Sequence, residues 1–357
     1  MTTQKLISLT AAAAVLAGLA YFSNSSKKVK TPSLVGKPII SSIDLSDVQR
    51  IEIGPSGGKK LVLESTDAGW SIKTLFNYPA DIAKIRENLL KLKDLKIGQV
   101  ATGKKLDVAH TLVDLQSAAG KSLATVRLGA KHMRQSSGEM DQFGGGGAIP
   151  DGRYVSAAGA DTVFLVKETL ESFDGDPKSW TDTQIASIPS TDLTLIELTR
   201  NGKSAKLSKK DGAWTIDGLS AKEELDTSKT YGVESALNYL NFNAIADPAL
   251  TEQQLGMADG AVFAVALKNG EHYTAKIGAT VTNSTDRYFK ISASFTPAGT
   301  NATENATLAK KIETFNAKSG KWTYIIPSYS AENMTKSHSD LVKAKEEPKK
   351  KEEKKAE

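Results

Sequence analysis

Four histidines, His110, His132, His272 and His338, are the side chains of this 357-residue chain best suited to general-base or metal chemistry near neutral pH. None falls in a His-x-x-His or His-Glu-x-x-His spacing, which would place two imidazoles on one helix face to grip zinc. Cysteine is absent, which excludes disulfides, thiolate metal sites, a cysteine nucleophile and lipid attachment through cysteine. The chain is expected to have no Gly-x-Ser-x-Gly elbow and no Ser-x-x-Lys pair to activate a serine, an expectation corrected below. Carboxylate pairs meet across a fold and cannot be judged from spacing. The expectation is a protein that is not an enzyme and needs no metal or cofactor.

Two glycine- and acid-rich stretches invite ligand readings and fail them. Gly144–Gly147 is a run of four glycines, but a phosphate loop needs a strand before it and a helix after it. Here Pro150 and Asp151 follow, and the next element reads as a strand, so the run is taken as a loop tip. Asp174-Gly175-Asp176-Pro177 lacks the alternating ligands and terminal glutamate of a calcium loop. It is read as a turn between modules, with Trp180 as packing.

Four residues remain as candidate binding groups: His132 and Phe143 in a polar inserted loop, and Trp70 and Trp214, each one residue past a tight turn. Exposed tryptophans would offer a flat platform for a sugar or peptide; the plainer reading is that each closes the end of its own core.

The elements that must carry these residues repeat. Asp47–Ile72 (DVQRIEIGPSGGKKLVLESTDAGWSI) matches Asp192–Ile216 (DLTLIELTRNGKSAKLSKKDGAWTI): an alternating strand, a glycine turn, a second strand, a second turn, and a Trp opening a third strand. A helix follows in each half. Ile82, Ile85, Leu89 and Leu92 lie at helical spacing after Pro79; Val233, Leu237 and Leu240 follow Asp226 and Thr227, residues suited to capping. Leu106-Asp107-Val108 then corresponds to Leu255-Gly256-Met257. Next come a hairpin ending Leu128-Gly129-Ala130 or Ile277-Gly278-Ala279, and a strand opening Arg153-Tyr154 or Arg287-Tyr288. The offset is 144 at the tryptophans, 149 at the Gly-Ala landmark and 134 at Arg-Tyr, so insertions differ between halves. The first inserts Lys131–Gly152. The second inserts Phe295–Gly320, where Leu308, Ile312 and Phe315 mark a short helix. Insertions of that length are either functional loops or disordered ones.

Composition agrees with a folded chain: 39% hydrophobic and 24% charged residues suit about two globular domains. The formal charge of +5 does not imply nucleic-acid binding, because much of the excess lies near the ends. Lys27, Lys28 and Lys30 follow the first apolar run, and Lys343–Glu357 holds seven lysines against five glutamates. Leu6–Phe22 carries no charge and follows Lys5, the layout of either an uncleaved membrane anchor or a cleaved secretory signal. Either way, the bulk of the chain is expected outside the cytoplasm.

With its apolar N-terminal run, Trp after a glycine turn, Leu-Gly-Ala hairpin and Arg-Tyr-Val strand leading to Val163-Phe164-Leu165-Val166, the chain resembles the bacterial domain of unknown function 4340 family over about residues 41–330. The resemblance implies a membrane-anchored protein facing the periplasm, with some members associated with transporter-like or gliding-motility auxiliary components. It supplies no catalytic residues.

The reading is therefore an α+β fold, a tandem duplicated module, each copy an antiparallel sheet of about five or six strands with one packed helix. Its parts are an anchor or signal (1–26), a linker (27–40), modules at 41–181 and 182–330, and a charged tail (331–357). The expected role is a non-catalytic envelope component, single-pass in the inner membrane or released after cleavage, that binds or scaffolds an envelope protein partner. The ligand, if small, is unspecified. The alternatives are a glycan- or peptidoglycan-binding module and a carboxylate-dependent envelope hydrolase.

Overall fold

In Arg50–Pro55 (β1), Ile51 and Ile53 are fully buried, while Arg50 and Glu52 point to the opposite face. There Arg50 pairs with Glu52 at 2.8 Å and with Glu64 at 2.9 Å, and Lys60 reaches Glu52 at 2.8 Å. Partly exposed pairs of this kind stabilise by about 1 kcal/mol or less each. Register is therefore set by the apolar face, where a one-residue slip would turn Ile51 and Ile53 out to water. This computed structural model describes residues 34–345 apart from 41–42, 56, 108, 135–147, 298 and 300. The apolar run Leu6–Phe22, Phe143, the glycine run and the chain from 346 onward lie outside the described residues. Among the described residues, no helix is long and apolar enough to cross a membrane.

The molecule is mixed helix and sheet, mostly β, and divides into two units. The first holds the described residues through Thr74 together with Ala80–Ser179. After β1 come Leu61–Thr66 (β2), Gly69–Ile72 (β3), the helix Ile82–Lys93 (α1), Gln99–Val100 (β4), Thr111–Gln116 (β5), Ser122–Arg134 (β6), Ile149–Ala157 (β7) and Phe164–Val166 (β8). These eight strands lie in the order β3-β2-β1-β5-β6-β7-β8-β4, every neighbour antiparallel. Asp81 caps α1, accepting from Ala83 N at 2.8 Å, and the helix buries Ile85, Leu89 and Leu92. Ile82, at the first helical position, stays exposed.

The second unit holds Leu75–Pro79 and the chain from Trp180. Its main strands are Leu193–Arg200 (β9), Lys203–Lys210 (β10), Ala213–Ile216 (β11), Ala244–Ile245 (β12), Ala261–Leu267 (β13), Glu271–Thr280 (β14), Arg287–Phe295 (β15) and Tyr324–Ile326 (β16). They lie in the order β11-β10-β9-β13-β14-β15-β16-β12, again antiparallel. Strand for strand, this is the order of the first unit.

Three expectations need correction. Each unit contributes eight strands to its sheet, not five or six, because strands of two or three residues such as β4, β8, β12 and β16 are too brief to show a period. The second unit has four α-helices among its described residues, where one packed helix and a short one in the insertion were expected: Thr227–Glu234 (α2), Ala302–Phe315 (α3), which carries Leu308, Ile312 and Phe315, Ser328–Met334 (α4) and His338–Leu341 (α5). Of the apolar residues expected on α2, Leu237 and Leu240 lie beyond its end but are buried all the same. Finally, the folded chain does not stop at 330. Met334 and Leu341 are fully buried, and Val342–Ala344 pairs with Glu223–Leu225.

Leu75–Pro79 belongs to the second unit although it lies between β3 and α1 in the chain. Phe76 and Asn77 take left-handed backbone angles (φ 56° and 60°), which turn the chain sharply and leave Tyr78 pointing into a core. The Tyr78 ring lies 5.3 Å from Phe242 and 5.0 Å from Trp322, and Phe242 stacks on Tyr324 at 5.5 Å. Thr181 Oγ1 donates to the Pro79 carbonyl at 2.6 Å.

Candidate functional site

On β6 the buried Val126 and Leu128 flank Arg127, which projects from the opposite face of the sheet. Arg127 lies opposite Ser156 on β7, and its Nη2 donates to Ser156 Oγ at 3.0 Å and to the Ala160 carbonyl. Ser156 is itself fully buried and donates to Ala160 O at 2.8 Å. This pair ties down the turn after β7. It leaves Arg127 Nε buried with no hydrogen-bond partner among the described residues. An orphaned guanidinium N–H costs about 1–3 kcal/mol unless something accepts from it.

The Arg127 side chain also lines a crevice of about 700 Å³ between this face and the loop 103–107, with Lys104, Lys105, Asp107, His110 and Asp161 on its walls. Glycine makes the loop's approach possible. A Cβ on Gly129 would stand 2.6 Å from Leu106 Cδ2 and 3.3 Å from the Tyr154 carbonyl. At Gly129-Ala130 the β6–β7 register also shifts, three residues of β6 spanning two of β7, which is a β-bulge.

Past the bulge stands a shoulder of aromatic and charged groups. Lys104 Nζ lies 4.2 Å from the Tyr154 ring centroid, and the His132 ring meets Tyr154 edge-on at 5.9 Å. His132 Nδ1 is 2.5 Å from Asp151 Oδ1, with Arg134 Nε at 4.0 Å from the other oxygen. The hydrogen bond from His132 holds the Asp151 carboxyl below its ordinary range, with the His132 and Arg134 charges adding to it. Beneath, the buried Arg153 reaches out through Nη1 to the exposed Asp174 at 2.7 Å, with Lys131 on the same carboxylate at 2.9 Å. Asp174, from the acid-rich turn, thus serves as a shared counter-ion.

Of the four candidates from sequence, only His132 joins this constellation. Trp70 sits half-buried on β3, four strands from β6 in the sheet order. Trp214 occupies the equivalent strand β11 of the second unit, half-buried, packed on that unit's core, with Lys209 Nζ 5.3 Å from its ring. Phe143 lies outside the described residues. Arg127, Lys104, Tyr154 and Asp151 were missed as site residues. Arg127 pairs with Ser156 across β6 and β7, whereas the β14–β15 ladder of the second unit pairs Lys276 with Lys290. Gly54-Pro55-Ser56-Gly57-Gly58 spells a nucleophile elbow, and Ser56 through Lys59 spells Ser-x-x-Lys. Both fall at the turn joining the antiparallel β1 and β2, where no helix follows. Among the described residues, no three His, Asp or Glu side chains are grouped to hold a metal ion.

In the second unit, sequence reasoning also missed Glu271. It is fully buried, taking Lys311 Nζ at 2.7 and 2.9 Å, the Tyr273 hydroxyl at 2.5 Å and Asn269 Nδ2 at 2.9 Å. Lys311 comes from α3 in the inserted segment, so this carboxylate fastens the insertion to its sheet.

No curated protein and no solved structure matches the chain. The family described as Domain of unknown function (DUF4340) matches residues 70–257, just over half of the chain, a span that runs from Trp70 to Met257 and contains the crevice and its shoulder. The chain belongs to the DUF4340 family.

Proposed function

We propose that this chain is a non-catalytic binding or scaffolding component of the bacterial cell envelope, placed at the inner membrane by its N-terminal apolar segment with its body on the periplasmic side. The observation that carries the binding reading is the crevice of the first unit: a buried, unpartnered Arg127 Nε beside Lys104, Lys105 and the Tyr154–His132 shoulder. An extended segment of a protein partner fits this chemistry, offering a carboxylate or backbone carbonyl to Arg127 and an apolar side chain to Tyr154. A non-catalytic role is favoured because the most buried carboxylate, Glu271, is committed to Lys311, Tyr273 and Asn269.

The two units are read as copies of one module. What supports this is their common strand order and the recurrence, at Gly129-Ala130 and Gly278-Ala279, of the same bulge with the same arginine bonded to it. In the second unit the equivalent loop packs down, with Leu255 and Met257 buried beside Tyr288, whereas in the first it stands over the crevice. On this reading, divergence of the copies opened a site in one of them.

The test is a photo-crosslinking side chain placed at Lys105 in cells, with Lys290 as the comparison position. The expected result is a crosslink to a defined envelope protein from position 105 that disappears when Arg127 is changed to Gln. Equal crosslinking from both positions, or none from 105, overturns the reading.

A further inference from the structure

The second unit carries a groove that the proposed function does not use. Its walls are the β9–β10 turn, Arg200–Lys203, and the turn 336–339 leading into α5, enclosing about 460 Å³. Both walls are fixed. Asn201 and Gly202 take left-handed angles (φ 51° and 71°), the geometry of a two-residue hairpin turn. On the other side Asp340 accepts from Ser337 N at 2.7 Å and Ser337 Oγ at 2.6 Å, and His338 Nε2 lies 3.1 Å from the Asp217 carbonyl. Met334 and Leu341, both fully buried, anchor the turn at either end.

Arg200, Lys203 and Lys336 line the groove together with Ser204, Ser339 and His338, and no carboxylate lines it. None of the three cations forms an ion pair within 4 Å among the described residues. The adjoining hollow shares Arg200, Lys336 and Ser339 and adds Lys229 with Asp226, Glu332 and Asp340. Two of those acids are already engaged: Asp226 caps α2 through Ser228 N, and Asp340 holds the Ser337 turn. Asp340 also feels Lys336 and Arg200, after its bonds to Ser337, and its carboxyl is held below the ordinary range. Over the groove and the hollow together, four cations (Arg200, Lys203, Lys229 and Lys336) stand against three carboxylates (Asp226, Glu332 and Asp340), which leaves one positive charge, and the groove itself holds three cations and no acid.

We infer that this groove binds a phosphate-type anion, with Arg200 offering a forked donor, Lys203 and Lys336 point charges, and Ser204 and Ser339 neutral hydrogen bonds. The ligand bears a phosphate monoester or diester, either on a soluble small molecule or on a phospholipid headgroup. The first unit has no counterpart, because Pro55 stands where β9 ends in Arg200 and no α5 turn faces it.

The test uses the full chain, wild type against the double variant Arg200→Gln/Lys336→Gln, with Lys290→Gln as a charge-loss control. Radiolabelled inorganic phosphate in equilibrium dialysis, at ionic strength matched with chloride, should bind saturably with half-saturation no weaker than about 1 mM. The double variant should bind about tenfold more weakly while the control is unchanged. In parallel, phosphatidylglycerol vesicles are compared with phosphatidylcholine vesicles. A variant-sensitive preference for phosphatidylglycerol, with free phosphate weak, assigns the groove to a headgroup; the reverse pattern assigns a soluble phosphate. The inference is overturned if both probes fail to distinguish wild type from the double variant. Should the double variant melt differently from wild type, the same comparison is made with the single variant Lys203→Gln.

Discussion

Arg153 donates from Nε to the carbonyl of Gly129 at 2.9 Å, bridging the two sides of the bulge between β6 and β7. In the second unit Arg287 Nε donates to the carbonyl of Gly278 at the same distance, across the same kind of bulge. Two landmarks far apart in each half of the sequence are thus one hydrogen-bonded device. The bulge interrupts the ladder and frees a carbonyl; the arginine satisfies it, and the missing glycine Cβ lets a loop lie over the break.

The two arginines should differ in what they contribute. Arg153 is buried and also bonds Leu170 O at 3.1 Å and Asp174 at 2.7 Å. Arg287 is half-buried and has no carboxylate within 4 Å among the described residues. Arg153→Met should destabilise the first unit by about 2–3 kcal/mol, since the carbonyls of Gly129 and Leu170 lose a buried charged donor, while Asp174 is exposed and keeps Lys131. Arg287→Met should cost the second unit about 1–2 kcal/mol. Hydrogen exchange, resolved by segment, measures each unit separately.

Alanine at the bulge glycines should reverse that ranking. A Cβ on Gly278 would fall 2.2 Å from the backbone oxygen of Leu255, which cannot move without dragging its loop. On Gly129 the nearest atom is the end of the Leu106 side chain, which can change rotamer. Gly278→Ala should therefore cost about 2–3 kcal/mol and Gly129→Ala about 1 kcal/mol or less. Segment-resolved hydrogen exchange gives the comparison, because Gly129 and Gly278 lie in different units.

Much of this framework was legible because alternation and turn residues repeat. Ile51 and Ile53, Val126 and Leu128, and the paired Gly-Ala and Arg-Tyr landmarks all stand where their spacing put them. The site was less legible for a physical reason: Arg127 acts by facing away from Val126 and Leu128, and alternation marks such a residue only as outward, never as paired. Its partner Ser156, the cation of Lys104 over Tyr154, and Asp151 beside His132 meet only through strand register and loop packing. Tyr78 shows the same limit at larger scale. It follows β3 in sequence, yet its ring belongs to the core of Phe242 and Tyr324.

That aromatic core should make the second unit sensitive to alkali. Burial pushes the Tyr78 hydroxyl up to about 12, and pushes those of Tyr273 and Tyr324 up as well. A group whose folded pKa is raised stabilises fully below its unfolded value and loses that contribution as pH rises through the folded one. For Tyr78 the window runs from about 10 to 12, and the loss amounts to about 2–3 kcal/mol. The tyrosinate absorbance of these three should form a late phase, together with unfolding of the second unit. Tyr78→Phe should flatten that part of the stability profile, and an unchanged slope would count against the assignment.

Glu271 sets the acid limit of the same unit. Burial pushes its carboxyl up, but the Lys311 and Tyr273 hydrogen bonds, the Lys311 charge and the Asn269 amide outweigh burial and hold it below the ordinary glutamate range. The sign is opposite to that of Tyr78. The stabilisation is present above the unfolded value of about 4.3 and is lost as pH falls through the lowered folded value. Acidification below about pH 4 should first loosen α3, because protonated Glu271 no longer holds Lys311. Lys311→Met should destabilise the unit by about 2–3 kcal/mol at neutral pH, since it leaves a buried carboxylate short of its cation, and by less in acid, where the carboxyl is neutral. Glu271→Gln should be less stable than wild type at pH 7 and should lose less stability than wild type as the pH falls below about 4.3. Segment-resolved hydrogen exchange of Ala302–Phe315 across this range reads the effect directly. If α3 in Glu271→Gln follows the wild-type acid profile, the carboxylate is not what fastens the insertion.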